Sequence, residues 1–147
     1  MQIKQKPVEK FNARAFSVGI VVSQFNVAIT KTLLDSAMKA LKDYNVAAAK
    51  VKVITVPGAM EIPYALHVLA KTKKYNCLVA LGCVIRGETP HFDYVCKMAQ
   101  EGVLRVSLDN HIPIGFGVMT VNTMKQAKAR PHLGAEAAQA ALLLANL

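Results

Sequence analysis

The sequence predicts an α/β protein: a three-layer α/β/α sandwich on a four-stranded parallel sheet, with a short edge strand near the amino end. Two observations carry that expectation. Residues 15–22, 51–56, 77–85 and 113–119 are rich in apolar and β-branched side chains, as in parallel strands covered on both faces. The segments that follow them repeat their apolar residues at helical spacing. Strands and helices therefore alternate, with right-handed crossovers. A chain of 147 residues has the length of a single domain with one core.

Residues 1–14 are polar and mixed, and residues 3–6 are expected to form the edge strand, pairing with another element or another subunit. The first long strand, 15–22, runs into the turn Ser23-Gln24-Phe25-Asn26. A helix to about Tyr44 follows, with Ile29, Leu33, Leu34, Ala37, Met38 and Leu41 on one face and Asn45 as its stop. The second strand, 51–56, is broken by Pro57-Gly58. A helix over 61–72 turns Ile62, Ala65, Leu66 and Leu69 inward, and Pro63 fits only in its first turn.

The third strand, 77–85, leads through a short polar turn into a helix over 90–109. Thr89 suits its cap and Pro90 its first position, where a missing N–H costs nothing. Phe92, Val95, Cys96, Ala99, Val103 and Val106 follow at helical spacing. In the fourth strand, 113–119, Gly115 and Gly117 permit a close approach to the backbone. Asn122 or Thr123 caps a short helix to about Ala129. Arg130-Pro131-His132 interrupts it, and an alanine-rich helix closes the sequence over 133–146.

Composition narrows the function. No apolar run approaches the roughly 18 to 20 residues of a membrane span, and the first residues lack the apolar stretch of a signal peptide. The expectation is a soluble cytoplasmic protein. Its net charge of +9 comes from scattered lysines, without an aromatic-interleaved basic stripe. Nucleic acid is therefore not expected as a partner, while a basic field suits phosphorylated small molecules. Cys77, Cys83 and Cys96 lie in apolar contexts. The first two sit about 20 Å apart on one extended strand, too far to pair, and no spacing resembles a metal site. Buried thiols in a reducing compartment are expected.

In parallel sheets, ligands bind outside the carboxyl ends of the strands. Residues 23–26, 57–61, 86–91 and 120–122 should line that edge. Among them, His91 falls in the first turn of a helix, where unpaired N–H groups and the helix dipole receive anions. The same field disfavours positive charge on a nearby imidazole, so His91 reads as a proton acceptor beside an anion seat.

Four pieces of sequence carry a family resemblance. They are Phe25-Asn26, the run Val56-Pro57-Gly58-Ala59-Met60-Glu61-Ile62-Pro63, the long run from Gly82 through Arg86-Gly87-Glu88-Thr89-Pro90-His91-Phe92-Asp93 to Val95, and the run from Pro113 to Thr120. In order and spacing they resemble the lumazine synthase family, over essentially residues 12–145. The resemblance implies a flavodoxin-like order of the parallel sheet. It also implies condensation of 5-amino-6-(D-ribitylamino)uracil with 3,4-dihydroxy-2-butanone 4-phosphate in riboflavin biosynthesis, with no metal or redox cofactor. The pyrimidine's amine attacks the ketone to give an imine, phosphate leaves, the ring closes and water departs.

The resemblance assigns roles to matching positions. Phe25 stacks on the pyrimidine, Asn26 also binds substrate, and Ala59, Met60 and Glu61 hold the ribityl chain. Cys83, Val84 and Ile85 meet the pyrimidine edge through backbone groups. Gly87, Glu88 and Thr89 seat the phosphate, and His91 transfers protons. Phe116 and Arg130 reach a neighbouring subunit's site, touching the ring and the phosphate respectively. The implied assembly is a homopentamer with sites between subunits. Whether pentamers pair or close into a sixty-subunit shell, and whether riboflavin synthase associates with them, stays open.

Two departures bear on phosphate. Glu88 places a carboxylate in the phosphate turn, where many relatives have a small residue. The stretch 130–134 is shorter than usual, and no lysine follows Lys128, so weaker phosphate binding is expected. The rival readings are a flavin-binding or shell-forming module with decayed catalysis, and an archaeal-type riboflavin synthase.

Overall fold

In the computed structural model, which describes residues 9–147, four parallel strands form one sheet. These are β1 (Val18–Ser23), β2 (Val51–Val56), β3 (Cys77–Ile85) and β4 (Ile114–Val121), in the order β2-β1-β3-β4. The helices are α1 (Val27–Asp43), α2 (Ile62–Lys71), α3 (His91–Asp109), α4 (Met124–Lys128) and α5 (Leu133–Ala145). The expected edge strand over residues 3–6 lies outside the described residues.

The apolar character of each strand follows its place in the sheet. β1 and β3 are interior and pair with each other. All six residues of β1 are buried, as are all but the last of β3. Among the described residues β2 is an edge strand, and Lys52, Val53 and Thr55 are exposed on it. Two core layers flank the sheet. On one face Ile20, Val22, Val79 and Leu81 pack with Leu33 and Leu41 of α1 and Ala138 and Leu142 of α5. On the other, Val21, Ala80 and Val118 pack with Ile62 and Leu66 of α2 and Ala99 and Val103 of α3. The three-layer, flavodoxin-like sandwich is as expected.

The boundaries teach more than the agreement does. Residues 15–17 are apolar enough to join β1, yet pairing begins at Val18, opposite Val51 and Cys77. Phe16 instead meets Phe11 edge to face at 6.1 Å, and Phe11 meets Tyr44 at 5.3 Å. This aromatic cluster closes over the end of α1, which stops as expected with Asn45 in the left-handed region (φ 69°). β4 runs on to Val121, because β3 offers partners as far as Ile85. The glycines of β4 are used for packing: a Cβ at Gly115 would strike the Ala137 carbonyl of α5.

Two helix starts also differ from expectation. Ala59–Glu61 forms a 3-10 turn ahead of α2, and α3 begins at His91, with Pro90 at the boundary position. Of the two caps expected for α4, Asn122 or Thr123, the second is the one used, its Oγ1 accepting from the Gln126 N–H at 3.2 Å. No helix among the described residues is long and apolar enough to cross a membrane.

Candidate active site

The carboxyl ends of β1, β2 and β3 lie side by side, and the segments that leave them enclose a cavity of about 380 Å3. The turn after β1 is fixed first. The Gln24 N–H donates to the Val56 carbonyl at 2.8 Å, and the Phe25 N–H to the Pro57 carbonyl at 3.0 Å. The backbone of Phe25 is thereby held against the end of β2, while its side chain stands 71% exposed at the cavity mouth. An aromatic ring displayed to solvent from an anchored backbone costs hydrophobic burial unless something stacks on it.

Asn26 adopts the left-handed conformation (φ 60°, ψ 49°) at the start of α1, which Asn tolerates better than most side chains. Its Nδ2 donates to the Cys83 carbonyl at 3.1 Å. The ends of β1 and β3 are tied together by this bond. Asn26 is not part of the cavity lining, and one carbonyl expected to meet the pyrimidine is already engaged by it.

Gly58, Ala59, Met60 and Glu61 form a second wall. The Glu61 Oε2 accepts from the Gly58 N–H at 3.1 Å, the local helix-start role that a carboxylate at this position is suited to. A carboxylate has capacity for further donors, so this bond leaves room for a hydroxyl.

Cys83, Val84 and Ile85 supply the floor, and Gly87, Thr89 and His91 the far rim. The Thr89 Oγ1 accepts from the His91 N–H at 3.4 Å, and the Asp93 N–H donates to the Pro90 carbonyl at 3.0 Å. The space beside Gly87 is open. Glu88 is exposed and outside the lining, so its carboxylate does not face the cavity. Phe92 and Val95, at the next positions of α3, complete the wall. Phe92 and Val95 read in the sequence as core-facing apolar positions of α3, whereas Gly58 falls within the 57–61 stretch expected at this edge.

Three lining side chains are titratable acids or bases: Glu61, Cys83 and His91. Burial pushes the Cys83 thiol up to about 11, so it is neither acid nor nucleophile near neutral pH. With Glu61 bonded to Gly58, the exposed imidazole of His91 is the group placed to exchange protons with a ligand. The cavity lies in the range that takes small molecules.

Four candidate residues are not brought into this cavity: Asn26 and Glu88, which border it, and Phe116 and Arg130. Phe116 pairs with Ala80, well short of the carboxyl end of β4, and is 44% exposed. Arg130 is exposed beyond α4, its Nη1 donating to the Gln126 carbonyl at 2.8 Å. The cysteines are all free, Cys77 and Cys83 buried as expected and Cys96 only partly so.

Comparison with known proteins shows the family. A model of the 6,7-dimethyl-8-ribityllumazine synthase family matches residues 15–147. The chain is also similar to a protein of Kosmotoga olearia named 6,7-dimethyl-8-ribityllumazine synthase. The two are 43% identical over 143 residues, which span 94% of this chain and 92% of that relative.

Proposed function

This chain belongs to the 6,7-dimethyl-8-ribityllumazine synthase family, and from that premise we propose how its residues divide the work. The enzyme is a transferase of riboflavin biosynthesis. It condenses 5-amino-6-(D-ribitylamino)uracil with 3,4-dihydroxy-2-butanone 4-phosphate, releasing phosphate and water. Family membership favours this function over a decayed flavin-binding or shell-forming module and over an archaeal-type riboflavin synthase.

In our reading Phe25 stacks on the pyrimidine, with Asn26 steadying the turn beneath it. Ala59, Met60 and Glu61 hold the ribityl chain. The backbone of Cys83, Val84 and Ile85 meets the pyrimidine edge, and the N–H groups of Gly87, Glu88 and Thr89 seat the phosphate. His91 moves the protons that imine formation and phosphate loss require. Positioning two substrates and relaying protons is what such a site contributes. The observation that carries this reading is the place of His91, on the rim of a mostly apolar cavity at the head of a 19-residue helix.

Phe116 and Arg130 complete the site from a neighbouring subunit. Their distance from the chain's own cavity supports this, as does the apolar surface left uncovered on α2 and α3. Tyr64, Val68, Tyr94, Met98, Leu104 and Leu108 are exposed there. A groove of about 510 Å3 runs between these helices, lined by Tyr64, Met98 and Arg105 among others. Large apolar side chains left exposed on two adjacent helices suit an interface. We take the assembly to be a cytoplasmic homopentamer, with pairing of pentamers, shell closure and riboflavin synthase association as further steps open to it.

The direct test mixes the purified protein with both substrates and follows lumazine fluorescence. Acceleration over the spontaneous reaction is expected; its absence removes the assignment.

A further inference from the structure

We propose that Arg86 is a positioning residue for the condensation, bracing the turn over residues 87–90 and the head of α3 against the end of β4. The proposal rests on the reading of His91 and the phosphate turn given above. Arg86 is not part of the cavity lining, so it acts through the residues it holds.

The turn needs a brace. Residues 86–91 are all exposed, and the Thr89 bond to the His91 N–H is long at 3.4 Å. Arg86 links this stretch to fixed structure in four ways. Its N–H donates to the Val121 carbonyl at 2.9 Å, and its Nε donates to the Asn122 Oδ1 at 2.9 Å. Its Nη1 lies 3.6 Å from the Asp93 Oδ1, and its guanidinium carbon lies 4.3 Å from the centre of the Phe92 ring. Asn122 is itself held, its N–H donating to the Gln126 Oε1 of α4 at 2.7 Å.

One planar group therefore connects α4 and the end of β4 to two successive residues of the first turn of α3, Phe92 and Asp93. They follow His91 directly, and Phe92 is a cavity wall. The ion pair alone is exposed, with side chains 47% and 65% accessible, and exposed pairs are individually weak. The combination is what matters. Only a guanidinium can donate edge-on to an amide oxygen, lie flat on a ring and face a carboxylate at once. Lysine can reproduce the charge and one of these contacts, but not the set. A displacement of about 1 Å in a reacting group can lower the rate about a hundredfold, so the brace has a functional consequence without touching substrate.

The test compares Arg86→Lys, Arg86→Gln and Asn122→Ala in the intact protein. Arg86→Gln and Arg86→Lys are expected to lower kcat at least about tenfold. KM for the butanone phosphate should rise more than KM for the pyrimidinedione. Hydrogen exchange of the amides over 87–91 should accelerate about tenfold or more in Arg86→Gln, with β3 amides unchanged. Asn122→Ala should give part of the kinetic effect and add little to it in the double variant.

Wild-type kcat in Arg86→Lys, or unchanged exchange over 87–91 in Arg86→Gln, overturns the proposal. So does a fall in kcat accompanied by lost protection throughout β3, which assigns Arg86 to general stability. The exchange measurement needs no substrate. A wild-type protein that fails to make lumazine refutes the assigned function separately from the brace.

Discussion

The β3–α3 turn and the Arg130 turn both carry residues assigned to phosphate, and the fold treats them differently. The first leaves an interior strand at its carboxyl end, opens a long helix and faces a cavity that also receives the ends of β1 and β2. The second leaves the five-residue helix α4 and stands in solvent, its guanidinium bonded to its own helix. A parallel sheet gathers what its strands carry at their carboxyl ends. On the proposed reading, a residue placed elsewhere reaches the same substrate from another copy of the chain, and the difference separates a half-site built by one subunit from a contribution that requires assembly.

His91→Ala should produce the largest effect, lowering kcat by about a hundredfold or more, the usual loss for a general acid–base group. The assembly should stay intact by solution size measurement. An unchanged rate would make the histidine structural. Arg130→Ala should act on one substrate, raising KM for the butanone phosphate roughly tenfold to a hundredfold, as befits a lost charge-assisted bond. If it instead weakened the pyrimidinedione alone, the pairing of the two turns would be wrong. The wild-type enzyme should already bind this phosphate more weakly than a relative with a lysine here. Comparable affinity would mean that Arg130 or His132 suffices.

Phe25→Ala sharpens the comparison from the other substrate. It should raise KM for the pyrimidinedione about tenfold through lost stacking, leaving KM for the phosphate substrate close to its starting value. A parallel rise in both would place Phe25 in the fold of the turn. The smallest effect is expected at Cys83. With its thiol at about 11, iodoacetamide near neutral pH should leave activity intact, and Cys83→Ala should change kcat by less than about threefold, since buried thiols near neutral pH are inert. Rapid inactivation with labelling at Cys83 would show a reactive thiol. The shift has a sign for stability as well. Burial makes the folded thiol ionise above the ordinary thiol value of 9.0, so the unfolded chain binds fewer protons above that pH. Stability should fall from about pH 9 through about pH 11, in step with the deeper thiol of Cys77, pushed up to about 12.

Sequence revealed most about the half-site that one chain builds. Long apolar runs and helical spacing located every long element among the described residues, because interior strands and helix faces must bury their side chains. The Gly82–Val95 stretch placed His91 within one residue of the observed helix start. What sequence left unread depends on contacts between distant segments. Phe16 was apolar enough for β1, but it packs on Phe11, which in turn meets Tyr44. Gly115 announced a close approach without saying that α5 makes it. Arg86 looked like one polar turn residue among several, since its partner Asn122 lies 36 positions away. Phe92 fell on an apolar helical stripe and read as core, although the top of that stripe walls the cavity.

Subunit mixing tests the division of the site most directly. His91→Ala and Arg130→Ala chains, each nearly inactive on limiting phosphate substrate, are unfolded together, refolded and assayed by lumazine fluorescence. Random co-assembly restores both groups at roughly a quarter of the sites when they come from adjacent subunits. Recovery toward that fraction of wild-type activity is the predicted result. Activity no greater than the sum of the two variants refolded apart, in assemblies shown to be mixed, would contradict a site completed by its neighbour.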